Sequence, residues 1–138
     1  MRALRWLGLA ALLLTQGCVV MAVGAVAGAA AGVTYTVLGV AEKTYGEEYD
    51  KVAAALRQAL ASLDIKIGDT QKVEENNKVV TTEIEAFTRD LTIRITIERI
   101  TDTATHVTVN ASRKTFLKDR ATATEILIQT TNNLAKKT

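Results

Sequence analysis

No proline occurs anywhere in the 138 residues, and cysteine and histidine occur once each, as Cys18 and His106. One cysteine cannot close an intrachain disulfide, nor can it build a cysteine-based zinc finger. One histidine with no mature cysteine beside it falls short of the three or four ligands of a zinc site, so no metal is expected. Charge is nearly absent from the first part of the chain, where only Arg2 and Arg5 precede Glu42. Without those two arginines the 17 basic residues become 15, equal to the 15 acidic ones. That balance leaves no basic excess to bind nucleic acid, and there is no acidic tail. The length allows one small domain and little more.

What the start of the chain does contain is the layout of an export signal. Arg2 and Arg5 come first, and an apolar run at 6–14 follows, too short to cross a bilayer alone. A basic start, a short apolar stretch and small residues before a cut are the parts of a secretory signal peptide. In that reading the arginines stay cytoplasmic while the apolar stretch enters the translocon. Leu14-Thr15-Gln16-Gly17-Cys18 also resembles the lipobox of bacterial lipoproteins. There the cysteine thiol is alkylated by a diacylglyceryl group, and the bond before it is then cut. Gly17 suits the flank of that cut, because a bulky side chain would block the peptidase. Thr15 and Gln16 depart from the more usual Leu and Ser or Ala.

This resemblance implies a signal peptide at 1–17 and a mature chain that begins at Cys18. The cysteine would carry diacylglycerol and an N-acyl chain, with no other cofactor. Each buried methylene contributes about 0.8 kcal/mol, so two or three chains would hold the protein on a membrane almost permanently. The expected location is a cell membrane, facing the periplasm. Val19 rather than Asp after the cysteine favours the outer membrane if the host has two. The alternative is an uncleaved anchor in which Cys18 is a small apolar residue.

Residues 18–33 are expected to form a Gly/Ala-rich tether or membrane segment. Gly24, Gly28 and Gly32 recur every fourth residue, which aligns them along one face of a helix. Such spacing lets helix backbones approach closely in lipid. The uncharged stretch 19–41 has 23 residues, and at about 1.5 Å each it could cross a ~30 Å hydrocarbon core. In water each glycine would weaken a helix by about 1 kcal/mol. Three readings stay open: a tether or interfacial helix, an oligomeric glycine zipper, and helix packing inside the domain.

The remainder, 34–138, reads as an α+β domain. Residues 34–45 alternate loosely with β-branched and aromatic side chains, as a strand would. Thr44 and Glu47 have the spacing of a capping box, and Tyr49, Val52, Ala53, Leu56, Leu60 and Leu63 form a helical stripe. Four strands are expected next. Gly68 would mark a bulge, and Asn76-Asn77 would turn a hairpin that pairs Val73 with Val80. Ile84 and Ala86, then Leu91, Ile93, Ile95 and Ile97, then Val107, Val109 and Ala111 supply one apolar face. Matching those faces predicts Glu83 opposite Arg94 and Glu98 opposite His106 in an antiparallel meander. A final helix at 119–136 presents Ala123, Leu127, Thr130 and Leu134, with Thr122 and Glu125 at capping spacing. The expected fold is therefore two-layer α+β: an antiparallel sheet of four or five strands with two helices on one face, in the order β-α-β-β-β-β-α.

Little in this domain points to catalysis, and an enzyme is not expected. Ser62 and Ser112 have no recognisable base or nucleophile elbow. Glu83 and Glu85 share a strand face, as paired carboxylates do in a glycosidase, but Thr and Glu also alternate on any wet sheet face. That outer face, with Thr81, Thr92, Arg94, Thr96, Thr108 and Asn110 among its residues, would form a flat polar carpet open to envelope glycan or a protein. Phe87, Arg89 and Asp90, at the hairpin between two strands, are the candidate partner contacts.

Four features together, the lipobox at Cys18, the run from Gly24 to Gly32, Thr44-Tyr45 and the Tyr49-x-x-Val52 helix start, resemble the domain-of-unknown-function 3568 family of small bacterial lipoproteins. The resemblance covers nearly the whole chain. It implies an envelope location and carries over no catalytic residue. One departure is Ala53, where the family pattern implies Trp. The function expected is that of a membrane-anchored lipoprotein with a small binding or scaffolding domain. A glycine-zipper oligomer with a soluble cap is the alternative, and a glycan-acting enzyme the more distant one.

Overall fold

The computed structural model describes residues 32–36, 40–113 and 117–136. Gly17, Cys18, Gly24 and Gly28, with the signal peptide and most of the tether, lie outside the described residues. The described chain runs β1 (Thr34–Tyr35), β2 (Ala41–Tyr45), α1 (Tyr49–Ser62), β3 (Lys66–Glu75), β4 (Lys78–Phe87), β5 (Leu91–Thr101), β6 (Ala104–Arg113) and α2 (Arg120–Ala135). All strand pairs are antiparallel, in the spatial order β1-β2-β6-β5-β4-β3. This is the expected α+β order, with one addition. The single strand expected over 34–45 is a small hairpin, in which the Thr36 N–H donates to Val40 O. Loose alternation fits both arms and cannot reveal the reversal between them.

Period-two alternation puts Ile84, Ala86, Ile93, Ile95, Ile97, Val107, Val109 and Ala111 on one face, and all are buried. Helix α1 covers that face with Val52, Ala53, Leu56 and Leu60, and α2 with Ala123, Ile126 and Leu127. Ala53, small as it is, sits within this core at 8% exposure. Each large aliphatic side chain so buried contributes about 1.5–3 kcal/mol. No disulfide or metal is needed to account for the assembly.

The register agrees with expectation between β5 and β6, where Ile97 faces Val107 and Glu98 faces His106. Between β4 and β5 it is displaced by two residues: Ala86 faces Ile93, so Arg94 opposes Glu85 and not Glu83. The cause is the turn. The Thr88 hydroxyl accepts from the N–H groups of Asp90 and Leu91, at 3.4 and 3.1 Å, which sets the reversal at 89–90 and makes Phe87 face Thr92. A shift of two leaves every side chain on its own face, so the hydrophobic pattern cannot detect it.

Asn76 and Asn77 take the positive φ values of a tight hairpin, 51° and 61°. Beyond that turn, Val73 faces Thr81 and not Val80, because β4 carries an extra residue there. A second irregularity between Ile67 and Thr70, at Gly68 as expected, restores the original offset.

Both capping assignments are corrected. Thr44 lies inside β2, and α1 begins only at Tyr49, with no side-chain cap on Glu48. Thr44 is paired with His106 on β6 instead. Helix α2 is capped by Asp119, not Thr122: the Asp119 carboxylate accepts from the Thr122 N–H at 2.9 Å. That backbone hydrogen bond is the main reason its carboxyl is held below the usual range, with Arg113 adding to it and burial opposing.

Candidate functional site

The wet face of the sheet is organised in transverse rows. Thr44, His106, Glu98, Thr81 and Val73 lie opposite one another across β2, β6, β5, β4 and β3. The next row is Glu42, Thr108, Thr96, Glu83 and Gln71. The polar carpet read from the sequence is therefore present. His106 stands in it with Nδ1 at 2.9 Å from the Thr44 hydroxyl and Nε2 at 3.9 Å from a Glu42 carboxylate oxygen. Among the described residues no group of three or more His, Cys, Asp or Glu side chains could hold a metal ion. Glu85 is engaged by Arg94 at 3.8 Å, while Glu83 faces Gln71 and Thr96. Both carboxylates line one open recess on this face, together with Asp69, Gln71 and Arg94.

A second feature lies six residues farther along the strands, at the row of Ser112, Thr92, Phe87 and Lys66. Asp64, at a positive φ of 54°, reverses the chain after α1; short polar side chains tolerate that conformation. The N–H groups of Leu63, Asp64 and Ile65 close on the last carbonyls of the helix. Leu63 and Ile65 are thereby delivered beside the β4–β5 hairpin. One recess lies between Leu63, Ile65, Leu91 and the first turn of α2 at Ala121, Thr122 and Glu125. Another, sharing Leu63 and Thr88, is lined by Asp64, Lys66, Phe87, Arg89 and Asp90. The candidate contact residues Phe87, Arg89 and Asp90 are brought together on this second recess. Phe87 has a further duty. A Cβ on Gly68 would lie 2.5 Å from its ring, so the bulge glycine leaves space that the aromatic edge fills.

Sequence reasoning missed the buried hydroxyl partners at the other end. The Tyr49 hydroxyl donates to the Thr82 hydroxyl, and the Arg99 guanidinium lies 4.9 Å from the centre of the Tyr49 ring. Thr105 donates to the Glu47 carbonyl at 2.9 Å, tying the chain before α1 to the start of β6. The Tyr45 hydroxyl donates to the Leu127 carbonyl at 3.0 Å. The only signal available was the pair of tyrosines in Thr44-Tyr45 and Tyr49-x-x-Val52, and spacing does not disclose an oxygen's partner. Tyr49→Phe should cost about 1–2 kcal/mol, because the Thr82 hydroxyl, 2% exposed, would be left buried without its donor. Adding Thr82→Val should recover most of that loss. Urea midpoints of the two single variants and the double variant would measure it.

Gly32, placed by its spacing with Gly24 and Gly28, stands in a turn at φ +65° just before β1. Among the described residues no helix is long and apolar enough to cross a membrane. No curated protein matches the chain. A family model does, over residues 3–132. That match spans most of the chain, and the chain belongs to the family described as "Protein of unknown function (DUF3568)".

Proposed function

We propose that this chain is a lipid-anchored protein of the bacterial envelope, whose α+β domain binds a protein partner through the end of the sheet bearing Leu63, Thr88, Arg89 and Asp90. The observation that carries the reading is the opposition of two ends. Strand β1 pairs Thr34 with Glu42, which sets Gly32 beside Thr44, on the row of His106 and Val73. Both recesses lie at the other end, six residues away along β6, about 20 Å at 3.4 Å per residue. A domain tethered near Gly32 would hold its recesses away from the membrane, toward soluble or wall-bound partners. The lipobox-like segment ending at Gly17-Cys18 supports the anchor, and loops on a rigid sheet are the usual bearers of contacts.

Intact mass of the protein from native membranes, beside Cys18→Ala, tests the anchor. The expected result is a chain starting at Cys18 with added acyl mass, absent from the variant, which should move to the soluble fraction. A full-length mass without lipid would overturn the reading.

The glycine-zipper oligomer keeps one supporting observation, the uncharged stretch with Gly24 and Gly28 four residues apart. With Gly32 in a turn, the stripe is reduced to those two. Detergent-resistant oligomers that disappear on Gly28→Leu would favour it.

A further inference from the structure

We infer that Val73 and Ile100 form a second membrane contact, a small aliphatic ridge that sets the tethered end of the domain against the phospholipid headgroup zone. This inference rests on the lipid anchor at Cys18. Val73 is 58% exposed and Ile100 57% exposed, more than Ile67 on the same sheet at 44%. They lie on β3 and β5, with β4 between them. Val73 faces Thr81, Thr81 faces Glu98, and Ile100 follows Glu98 by two residues on β5. Half-buried Val80 sits beside Thr81 at the irregularity in β4, so three adjacent strands bring aliphatic residues to one corner. Ile100 itself lies where the β5–β6 register slips between Arg99 and Thr101. An unpaired residue of this kind is re-aimed by the bulge that holds it.

Position identifies the occupant. Val73 is on the row of Thr44, and Gly32 joins the sheet at that level, close enough that a Cβ on it would lie 3.8 Å from Lys43 Cε. Strands β1 and β3 are the two edges of the sheet, so ridge and tether stand at opposite corners of one end, roughly 24 Å apart at 4.8 Å per strand. From Cys18 to Gly32 the chain has 14 residue steps, at most about 50 Å when extended and about 20 Å as a helix. An anchored domain therefore stays within reach of the bilayer, with the ridge at the end it presents. Charge at this end shows no basic excess: Lys78 pairs with Asp102 at 3.3 Å, and Lys51 stands beside two carboxylates, Glu47 and Glu48. That balance suits a zwitterionic headgroup such as phosphatidylethanolamine better than a strongly anionic surface.

The chain's single tryptophan, Trp6, lies in the leader, so the processed protein should be free of tryptophan fluorescence. Acylated full-chain protein carrying Ile100→Trp would be placed in phosphatidylethanolamine/phosphatidylcholine vesicles whose acyl chains are brominated. The ridge predicts at least a two-fold quenching of the indole introduced by Ile100→Trp, and none of one introduced by Phe87→Trp at the far end. Should Ile100→Trp fail to fold, Val73→Trp should show the same quenching. No quenching at residue 100 or 73, or equal quenching at residue 87, would overturn the contact with the anchor intact. A concentration-dependent shift of the residue-100 emission in detergent without vesicles would assign the ridge to a second copy and also overturn it. Tryptophan fluorescence from the unsubstituted protein, with an unacylated mass, would mean a retained leader, and would overturn the anchor instead.

Discussion

Ile95→Ala should destabilise the domain by about 2–5 kcal/mol, a large share of the 5–15 kcal/mol typical of a domain. Ile95 is 1% exposed and sits mid-strand in β5, a strand with neighbours on both sides. It faces Ile84 on β4 and Val109 on β6, beneath the two helices. Truncation there removes buried surface and leaves a cavity that paired strands cannot close by sliding, since ladder hydrogen bonds on both sides hold the backbone. Thr96→Ala, one residue along and on the opposite face, should change stability by no more than about 0.5 kcal/mol. Urea unfolding of the two variants measures the contrast directly. A shift of midpoint with unchanged slope in the first, and almost none in the second, is the expected result. Equal losses would mean that the wet face is covered by something.

The same contrast explains why so much of this fold is legible in the chain. Ile93, Ile95 and Ile97 alternate with Thr92, Arg94, Thr96 and Glu98 for long enough that only one face can be buried. A slip of one residue would expose every isoleucine. What that argument cannot see is a slip of two, and there the expectation and the structure part company at Glu83 and Glu85. The difference resides in one hydroxyl, that of Thr88, which takes two backbone N–H groups and moves the turn one residue along the chain. Asn76-Asn77 was readable because two adjacent asparagines advertise positive φ values.

Helix starts were less legible for a related reason. The Thr-x-x-Glu pattern at Thr44 is local, whereas the pairing of Thr44 with His106 joins positions 62 residues apart. Tertiary pairing prevails over the local capping pattern. The recess at Leu63 and Thr88 illustrates the limit for sites. It is assembled from the end of α1, the β4–β5 hairpin and the start of α2, and no spacing within one segment encodes that meeting. Phe87, Arg89 and Asp90 could be named because a hairpin turn exposes its residues. Their partners Leu63 and Lys66 could not.

Tyr45 carries the second large prediction. Its ring is 5% exposed, under α2, and its hydroxyl donates to the Leu127 carbonyl at 3.0 Å. Burial pushes its pKa up to about 12, against the opposing influence of the Thr131 and Thr130 hydroxyls. An unfolded tyrosine ionises near pH 10. The folded value is the higher one, so this contribution is complete below about pH 10 and is lost as pH rises toward 12. Two pH units correspond to about 2.7 kcal/mol. Lys43, whose ammonium lies 5.2 Å from the centre of the Tyr45 ring, acts in the opposite sense. Burial holds its pKa below the ordinary lysine value of 10.5, so its own contribution grows only as pH rises toward 10.5 and is complete beyond it. The net slope should still be downward, because the tyrosine is far more deeply buried. Tyr45→Phe removes the ionisable group while keeping the ring. It should therefore flatten the decline in stability between pH 10 and 12 and abolish the last phenolate step in an ultraviolet titration. Retention of both in the variant would move the effect to another residue.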